Sequence, residues 1–182
     1  MGLVRLTPSA SRAVSADEVK RYLGIESDET GWDSLIADLI ASAEAEVEDV
    51  IGRAVMPQTW ALSLDAFADE IELPRGPVSA VTAVDYLDSA GAAQVASPTL
   101  YTLDAVSDPQ WIVLNEGETW PDTLDRVNAV TITFTTGFAE VPGPIKEAIK
   151  VAIAARWTDR TATFPTAAME RLEPYRAMWI AA

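Results

Sequence analysis

The hydrophobic and polar positions of residues 33–52 follow the longest helical period in the chain. Apolar residues recur there at the spacing of one helical face: Trp32, Leu35, Ile36, Leu39, Ile40, Ala43, Val47, Val50 and Ile51. The charged residues of the opposite face are all acidic: Asp33, Asp38, Glu44, Glu46, Glu48 and Asp49. The pattern predicts a long core helix with an acidic outer face, capped by Thr30 or Asp33 and ended by Gly52.

Three further segments carry helical signals. Ser15 and Glu18 form a capping box, which predicts a short helix that ends at Gly24. A second amphipathic helix is predicted over residues 144–160, and its polar face is basic, with Lys146, Lys150, Arg156 and Arg160. After Pro165, apolar positions predict a last helical segment, which Pro174 interrupts.

Between the helices the period changes to alternation, which predicts strands. Val130, Ile132 and Phe134 alternate with threonines and indicate a central strand. Other strands are predicted after Pro57 and at residues 71–73, 81–87, 100–103 and 111–114. Residues 90–123 are dense in turn signals, so we expect a protrusion that can be trimmed without loss of folding. The whole pattern predicts an α+β fold: long amphipathic helices packed with each other and against a small, mainly antiparallel sheet, with a loop-rich protrusion and a C-terminal arm.

The composition narrows the chemistry. The 182 residues suit one compact domain, and they include no cysteine and no histidine. This removes the Ser-His-Asp and Cys-His arrangements, imidazole ligands and thiolates. No glycine-rich phosphate cradle is present. We therefore expect no enzyme, no cofactor and no metal. No apolar run has the length of a signal peptide core or a membrane span, which predicts a soluble, unexported protein without a membrane partner.

The charge is strongly negative and uneven. The formal net charge is -15. Residues 54–142 hold many acids against only Arg75 and Arg126, whereas residues 143–182 hold more bases than acids. A negative surface repels phosphates, so tight binding of nucleic acid is disfavoured.

Several local strings, in their order along the chain, resemble the head-tail connector proteins of tailed phages, also called adaptor or head-completion proteins. They include residues 15–20, 50–53, 57–60, 71–78, 135–138 and 141–148, among which the turn Leu73-Pro74-Arg75-Gly76-Pro77-Val78 is the most specific. The resemblance covers about residues 15–160. Similar proteins occur in prophages and gene transfer agents.

The resemblance implies a structural, non-enzymatic subunit of the virion head-tail joint, assembled in the host bacterial cytoplasm. Identical subunits, twelve by the resemblance, would form a ring on the portal protein and extend the DNA channel, through which DNA passes without specific binding. The ring would be the platform for a tail-proximal stopper or tail terminator protein. The alternative is a free-standing acidic carboxylate-based enzyme or binding module.

The chain is accordingly divided into a flexible N-terminal arm (residues 1–14), a connector domain (15–160) and a C-terminal docking segment (161–182). The portal-docking hypothesis rests on the apolar and basic residues of that last segment: Arg171, Leu172, Tyr175, Arg176, Met178 and Trp179. The competing hypothesis is that the segment folds back on its own domain. Trp111 and Trp120 lie in turn-rich surroundings and are the candidates for a subunit or tail interface.

Overall fold

The computed structural model describes residues 2–177 and divides them into two compact units. The helical unit consists of Ser9–Met56 and Phe138–Arg176. The sheet unit consists of residues 2–8 and Pro57–Gly137, together with Ala177. The sequence predicts one compact domain, whereas the buried apolar residues form a separate cluster within each unit.

The helical unit contains four helices in the described part of the chain: α1 (Ala16–Leu23), α2 (Asp33–Ile51), α3 (Gly143–Thr158) and α4 (Thr166–Leu172), followed by a 3-10 turn at Glu173–Tyr175. The predicted capping box is present: the Ser15 hydroxyl accepts from the Glu18 N–H, and the Glu18 carboxylate accepts from the Ser15 N–H at 2.7 Å. The predicted cap of α2 is wrong. Trp32 occupies the N-cap position and makes no side-chain capping hydrogen bond, so neither Thr30 nor Asp33 is the N-cap residue.

The core of the helical unit comes from the apolar faces of α2 and α3, as predicted. Six of the apolar positions predicted for the inner face of α2 are buried: Ile36, Leu39, Ile40, Ala43, Val47 and Ile51. Ile145, Ile149 and Ile153 of α3 are fully buried in the same cluster. Trp32 lies at its edge, where it contacts Trp157 edge to face with ring centroids 5.3 Å apart.

The sheet unit contains eight strands in the described residues: β1 (Gly2–Thr7), β2 (Gln58–Leu64), β3 (Glu70–Leu73), β4 (Val78–Leu87), β5 (Ala93–Val95), β6 (Tyr101–Asp104), β7 (Gln110–Leu114) and β8 (Val130–Thr136). A five-stranded sheet has the order β1-β2-β8-β4-β5, and a three-stranded sheet has the order β3-β7-β6. All neighbouring strands are antiparallel. The α+β class is confirmed, and β8 is the central strand that its alternation predicts.

One face of each sheet contributes to the core of the sheet unit. Leu62 of β2, Ile132 of β8 and Val84 of β4 are in register and fully buried. Ile71 and Ile112, from the three-stranded sheet, belong to the same cluster. The other face of β8 carries Thr131, Thr133 and Thr135, which are half-buried.

Two sequence expectations are corrected here. Residues 2–7, expected to lie in a loose arm, form the edge strand β1; their alternation is hard to recognise because Val4 and Leu6 are exposed at 59% and 54%. The turn-rich residues 90–123 contain β5, β6 and β7, and their Ile112 is fully buried. Trimming that region would remove core, contrary to the expectation.

Among residues 2–177, no helix combines the length and the apolarity needed to cross a membrane.

Candidate assembly surfaces

The C-terminal segment packs on its own unit as far as the structure describes it. Ala168 and Leu172 of α4 are fully buried in the helical core. Tyr175 packs against the same cluster, and its carbonyl accepts from Arg53 Nε at 2.9 Å. Leu172 is therefore an intramolecular core residue and does not belong to a docking surface. Periodicity alone could not show this, because an apolar helix face looks the same whether it packs inside the subunit or on a partner.

The remaining candidates of that segment differ in position. Arg171 and Arg176 are exposed; the Arg171 guanidinium donates to the Ala167 carbonyl, and Arg176 lies 3.3 Å from the Glu173 carboxylate. Met178 and Trp179 lie outside the described residues. In its described part, the segment exposes two arginines, Arg171 and Arg176, and two glutamates, Glu170 and Glu173, and Met169 is exposed at 44%.

The two candidate tryptophans occupy different environments. Trp120 is stacked on Phe67 with ring centroids 4.4 Å apart, and its Nε1 donates to the Ala68 carbonyl at 2.9 Å. It therefore stabilises the sheet unit itself. Trp111 is half-buried and lies opposite Glu72 and Asp104 in the three-stranded sheet. Because the adjacent Ile112 faces the core, Trp111 points to the outer face of that sheet and remains available for a contact.

Four acids predicted for the outer face of α2 contact residues of their own unit: Asp33 pairs with Lys20 at 2.6 Å and Glu46 with Arg156, and Glu44 and Glu48 accept hydrogen bonds. The Glu44 carboxylate is buried and accepts from the Ala13 N–H at 2.6 Å and from Arg12 Nη1 at 3.0 Å. Its desolvation raises the pKa of Glu44, although both hydrogen bonds oppose that shift. Glu48 accepts from the Val55 N–H at 2.9 Å. The acidic face is therefore smaller than its sequence pattern indicates.

The basic face of α3 is also partly used within the helical unit. The Arg156 guanidinium pairs with the Glu46 carboxylate and donates to Ser42 Oγ at 3.0 Å. Lys150 pairs with Glu147 and lies 5.5 Å from the Tyr22 ring centroid. Arg156 thus links the basic face of α3 to the acidic face of α2, whereas Lys150 pairs within α3.

The sheet unit has a cationic site that the sequence does not reveal. The guanidinium carbons of Arg5 and Arg75 lie 5.9 and 5.5 Å from the Trp60 ring centroid. These three residues come from an edge strand, a second strand and a turn that are far apart in sequence. Only the pairing of β1 with β2 and the turn after β3 bring them together.

The described residues contain no group of three or more acids, histidines or cysteines placed to hold a metal ion. The acid pairs that could suggest a glycosidase, Asp69 with Glu70 and Glu116 with Glu118, are exposed. These carboxylates therefore have the surroundings of surface groups, not of an enclosed acid-base pair.

The fold is that of proteins in the neck of a gene transfer agent (GTA) particle. A chain in a solved structure titled "Neck of empty GTA particle computed with C6 symmetry" matches with a TM-score of 0.81 at 23% identity. A chain of the "Virion of native gene transfer agent (GTA) particle" matches with a TM-score of 0.78 at 23% identity, and one of the "Neck of native GTA particle computed with C12 symmetry" with 0.74 at 24%. Each match covers 100% of this chain and 98% of the other. No family model matches the chain, and no curated protein does so significantly.

Over its full length, this chain therefore has the fold of a particle-neck component. It agrees with the resemblance of the sequence strings to head-tail connector proteins.

Proposed function

We propose that this protein is a structural subunit of the head-tail joint of a phage-like particle. The observation that carries the proposal is the likeness, over the whole chain, to neck proteins of a gene transfer agent particle. Copies would form a ring on the portal protein, extend the DNA channel and provide the platform for a tail-proximal stopper or tail terminator. Two of the matching neck structures were computed with C6 and C12 symmetry, which supports a ring of identical subunits here.

The charge of the chain suits a DNA conduit. With a net charge of -15, the subunit repels the phosphate backbone, so DNA passing through a ring of such subunits would not be retained. No catalytic step is required for this role.

The C-terminal end is the proposed attachment site for the portal. Leu172 is not part of that site, because it is buried in the helical core. Arg171 and Arg176 are exposed on the helical unit and can pair with acidic groups of a partner. Met178 and Trp179, beyond the described residues, would add apolar anchors of the kind that dominate interfaces.

The test is co-purification with portal rings. A variant truncated after Ala177 keeps α4 and the buried Leu172, so it should melt like the full chain and yet lose most of its portal binding. Truncation after Thr163 serves as the contrast, because it removes buried residues and should lower the melting temperature. If the variant truncated after Ala177 binds portal rings with unchanged affinity, the proposed attachment is refuted. If the full chain binds no portal ring, the head-tail role is refuted.

A further inference from the structure

Both end strands of the five-stranded sheet are paired on one side only. Among residues 2–177, β1 has β2 as its single neighbour in the sheet, and β5 has β4. The Ala96 N–H, just after β5, donates to the Val84 carbonyl of β4 at 2.8 Å. Because successive residues of a strand direct their backbone groups to opposite sides, the N–H and C=O groups of Ala93 and Val95 face away from β4. Backbone groups on such an edge are a template for another strand.

The two edges present apolar side chains on the same face of the sheet. Val4 of β1 is aligned, through β2, with Thr133 of β8, and Val95 of β5 is aligned, through β4, with Thr131. Thr131 and Thr133 alternate with core residues and lie on the outer face of β8. Val4 and Val95 therefore share that face, where they are exposed at 59% and 67%. A contact between the two edges would bury both valines.

Neither edge strand carries the negative charge that dominates the rest of the sheet unit. β1 and β5 contain no acidic residue, and the single charged residue of β1, Arg5, lies with its guanidinium over the Trp60 ring. Exposed edges are commonly protected by charged side chains or prolines, and β5 has neither. The irregularity in the pairing of β1 follows Arg5, so residues 2–5 keep a regular register. Acidic subunits can therefore meet at these edges without placing one edge carboxylate against another.

The directions of the two edge strands decide which edges can meet in a ring. All pairings of this sheet are antiparallel, so its first and fifth strands, β1 and β5, run in the same direction. Rotation from one copy to the next in a ring of many subunits changes the strand direction little. β5 of one copy and β1 of the next would therefore be parallel. A two-fold axis would instead place β1 against β1 as antiparallel strands, so a ring and an isolated dimer use different pairs of edges.

We propose that β5 of one copy pairs with β1 of the next copy as a parallel strand, so that the five-stranded sheet continues from subunit to subunit around the ring. The inference rests on the proposed ring function. It gives the head-to-tail contact of that ring a defined chemistry. Backbone hydrogen bonds join two edges that lack acidic residues, and the exposed valines of the two strands pack together on the outer face.

Disulfide cross-linking tests the contact, because the natural chain has no cysteine. A double variant with Val4→Cys and Val95→Cys is assembled on portal rings and oxidised with copper phenanthroline. The two positions of one subunit lie at opposite edges of the sheet, about 19 Å apart across four strand spacings, so they cannot form a disulfide within one chain. The expected product is a ladder of covalent oligomers on a non-reducing gel. A double variant with Val4→Cys and Ala93→Cys tests the adjacent register on the same face.

Single variants and a matched control separate this contact from others. Rings mixed from Val4→Cys and Val95→Cys copies should yield dimers that contain one copy of each, whereas either variant alone should not cross-link, because its cysteines lie beyond the roughly 7 Å that a disulfide allows. Val4→Cys combined with Val106→Cys is the control, since Val106 is 97% exposed but lies in the loop between β6 and β7, and it should give no ladder. Efficient dimers of Val4→Cys alone would show β1 against β1 and would overturn the proposal.

A proline at position 95 tests the backbone part of the contact. The Val95 N–H faces away from β4, so Val95→Pro removes a donor of the edge and leaves the bonds to β4 in place. It should melt near the wild-type temperature and lower the fraction of portal particles with a complete ring by about tenfold. Val95→Thr keeps the N–H and the branched side chain and should assemble normally. Complete rings of Val95→Pro at the wild-type level would overturn the strand pairing.

The inference and the proposed function fail in different ways. If the wild type forms rings on the portal and neither double cysteine variant gives a ladder in complete rings, the continuous sheet is wrong and the proposed function stands. If the wild type forms no ring on the portal, the proposed function fails, and the inference that rests on it fails as well.

Discussion

At the scale of single residues, burial separates side chains that the sequence groups together. Met169 and Leu172 lie on the same short helix, yet Leu172 is fully buried and Met169 is 44% exposed. Glu44 and Asp38 both belong to the predicted acidic face of α2, yet Glu44 is buried against Arg12 and Asp38 is exposed. These differences have measurable consequences.

The contrast on α4 can be measured by truncating each side chain. Leu172→Ala should lower the free energy of unfolding by about 2–5 kcal/mol, because it leaves a cavity in the helical core. Met169→Ala is the control and should cost less than about 1 kcal/mol. Denaturant unfolding of both variants decides the matter. If both substitutions lower the free energy of unfolding equally little, the segment is not anchored in the helical core, and Leu172 becomes a candidate docking residue again.

Glu44 should make stability depend on pH in a defined direction. Its pKa in the folded protein is raised above the ordinary value of 4.5 by burial. A raised carboxyl pKa contributes stability that is present below the unfolded-state value and is lost as the pH rises through the folded-state value. The unfolding free energy of the wild type minus that of Glu44→Gln should therefore decrease between pH about 4 and pH about 7. Urea titrations of both proteins test it, and an increase over that interval would contradict the assignment.

At the scale of elements, the strands of residues 90–123 show how a turn-rich sequence can still be structural. β6 and β7 bring Tyr101 and Ile112 into the sheet core, and Trp120 follows them to stack on Phe67. Trp111, on the same stretch, faces outwards. The region therefore combines a packing role with a surface that a partner can contact.

The two tryptophans should respond differently to replacement by alanine. Trp120→Ala removes a stacked ring and a hydrogen bond, so we expect it to destabilise the protein by roughly 2–4 kcal/mol. Trp111→Ala should change thermal stability little and should weaken attachment of the next tail component if that surface is used. Calorimetry and a tail-joining assay separate the two effects. A stable Trp120→Ala protein with defective joining would reverse the assignment.

At the scale of the whole molecule, charge decides how the protein meets DNA. The formal net charge is -15. Ion pairs with Arg12 and Arg156 neutralise part of the acidic face of α2, but the sheet unit remains strongly acidic. Long-range repulsion depends on this summed charge, not on single pairs. A cationic site of two arginines is too small to reverse it.

The free subunit should therefore not bind double-stranded DNA at about 0.15 M salt. Fluorescence anisotropy with a labelled duplex is the measurement, and the wild type and Arg75→Glu should both give no signal change. Binding that weakens steeply with added salt would show that phosphates are contacted, against the proposed conduit role.

Local patterns were sufficient for most of the elements. The capping box at Ser15, the glycine ends of α1 and α2, the apolar stripes of α2 and α3 and the alternation of β8 depend on neighbours a few residues away, and they agree with the structure. The edge strand β1 was missed because an edge strand buries little and so leaves a weak pattern. The α2 cap was missed because Trp32 takes the position without a capping side chain.

The sequence by itself determined the mixture of helices and strands, the acidic charge and the absence of histidine and cysteine, because each depends on composition or on short-range periodicity. Tertiary structure alone decided that Leu172 and Trp120 pack inside the subunit and that Glu44 is buried. It also brought Arg5, Trp60 and Arg75 to one place. These facts depend on contacts between residues far apart in the chain, and the side chains involved carry no local signal of the partner that they will meet.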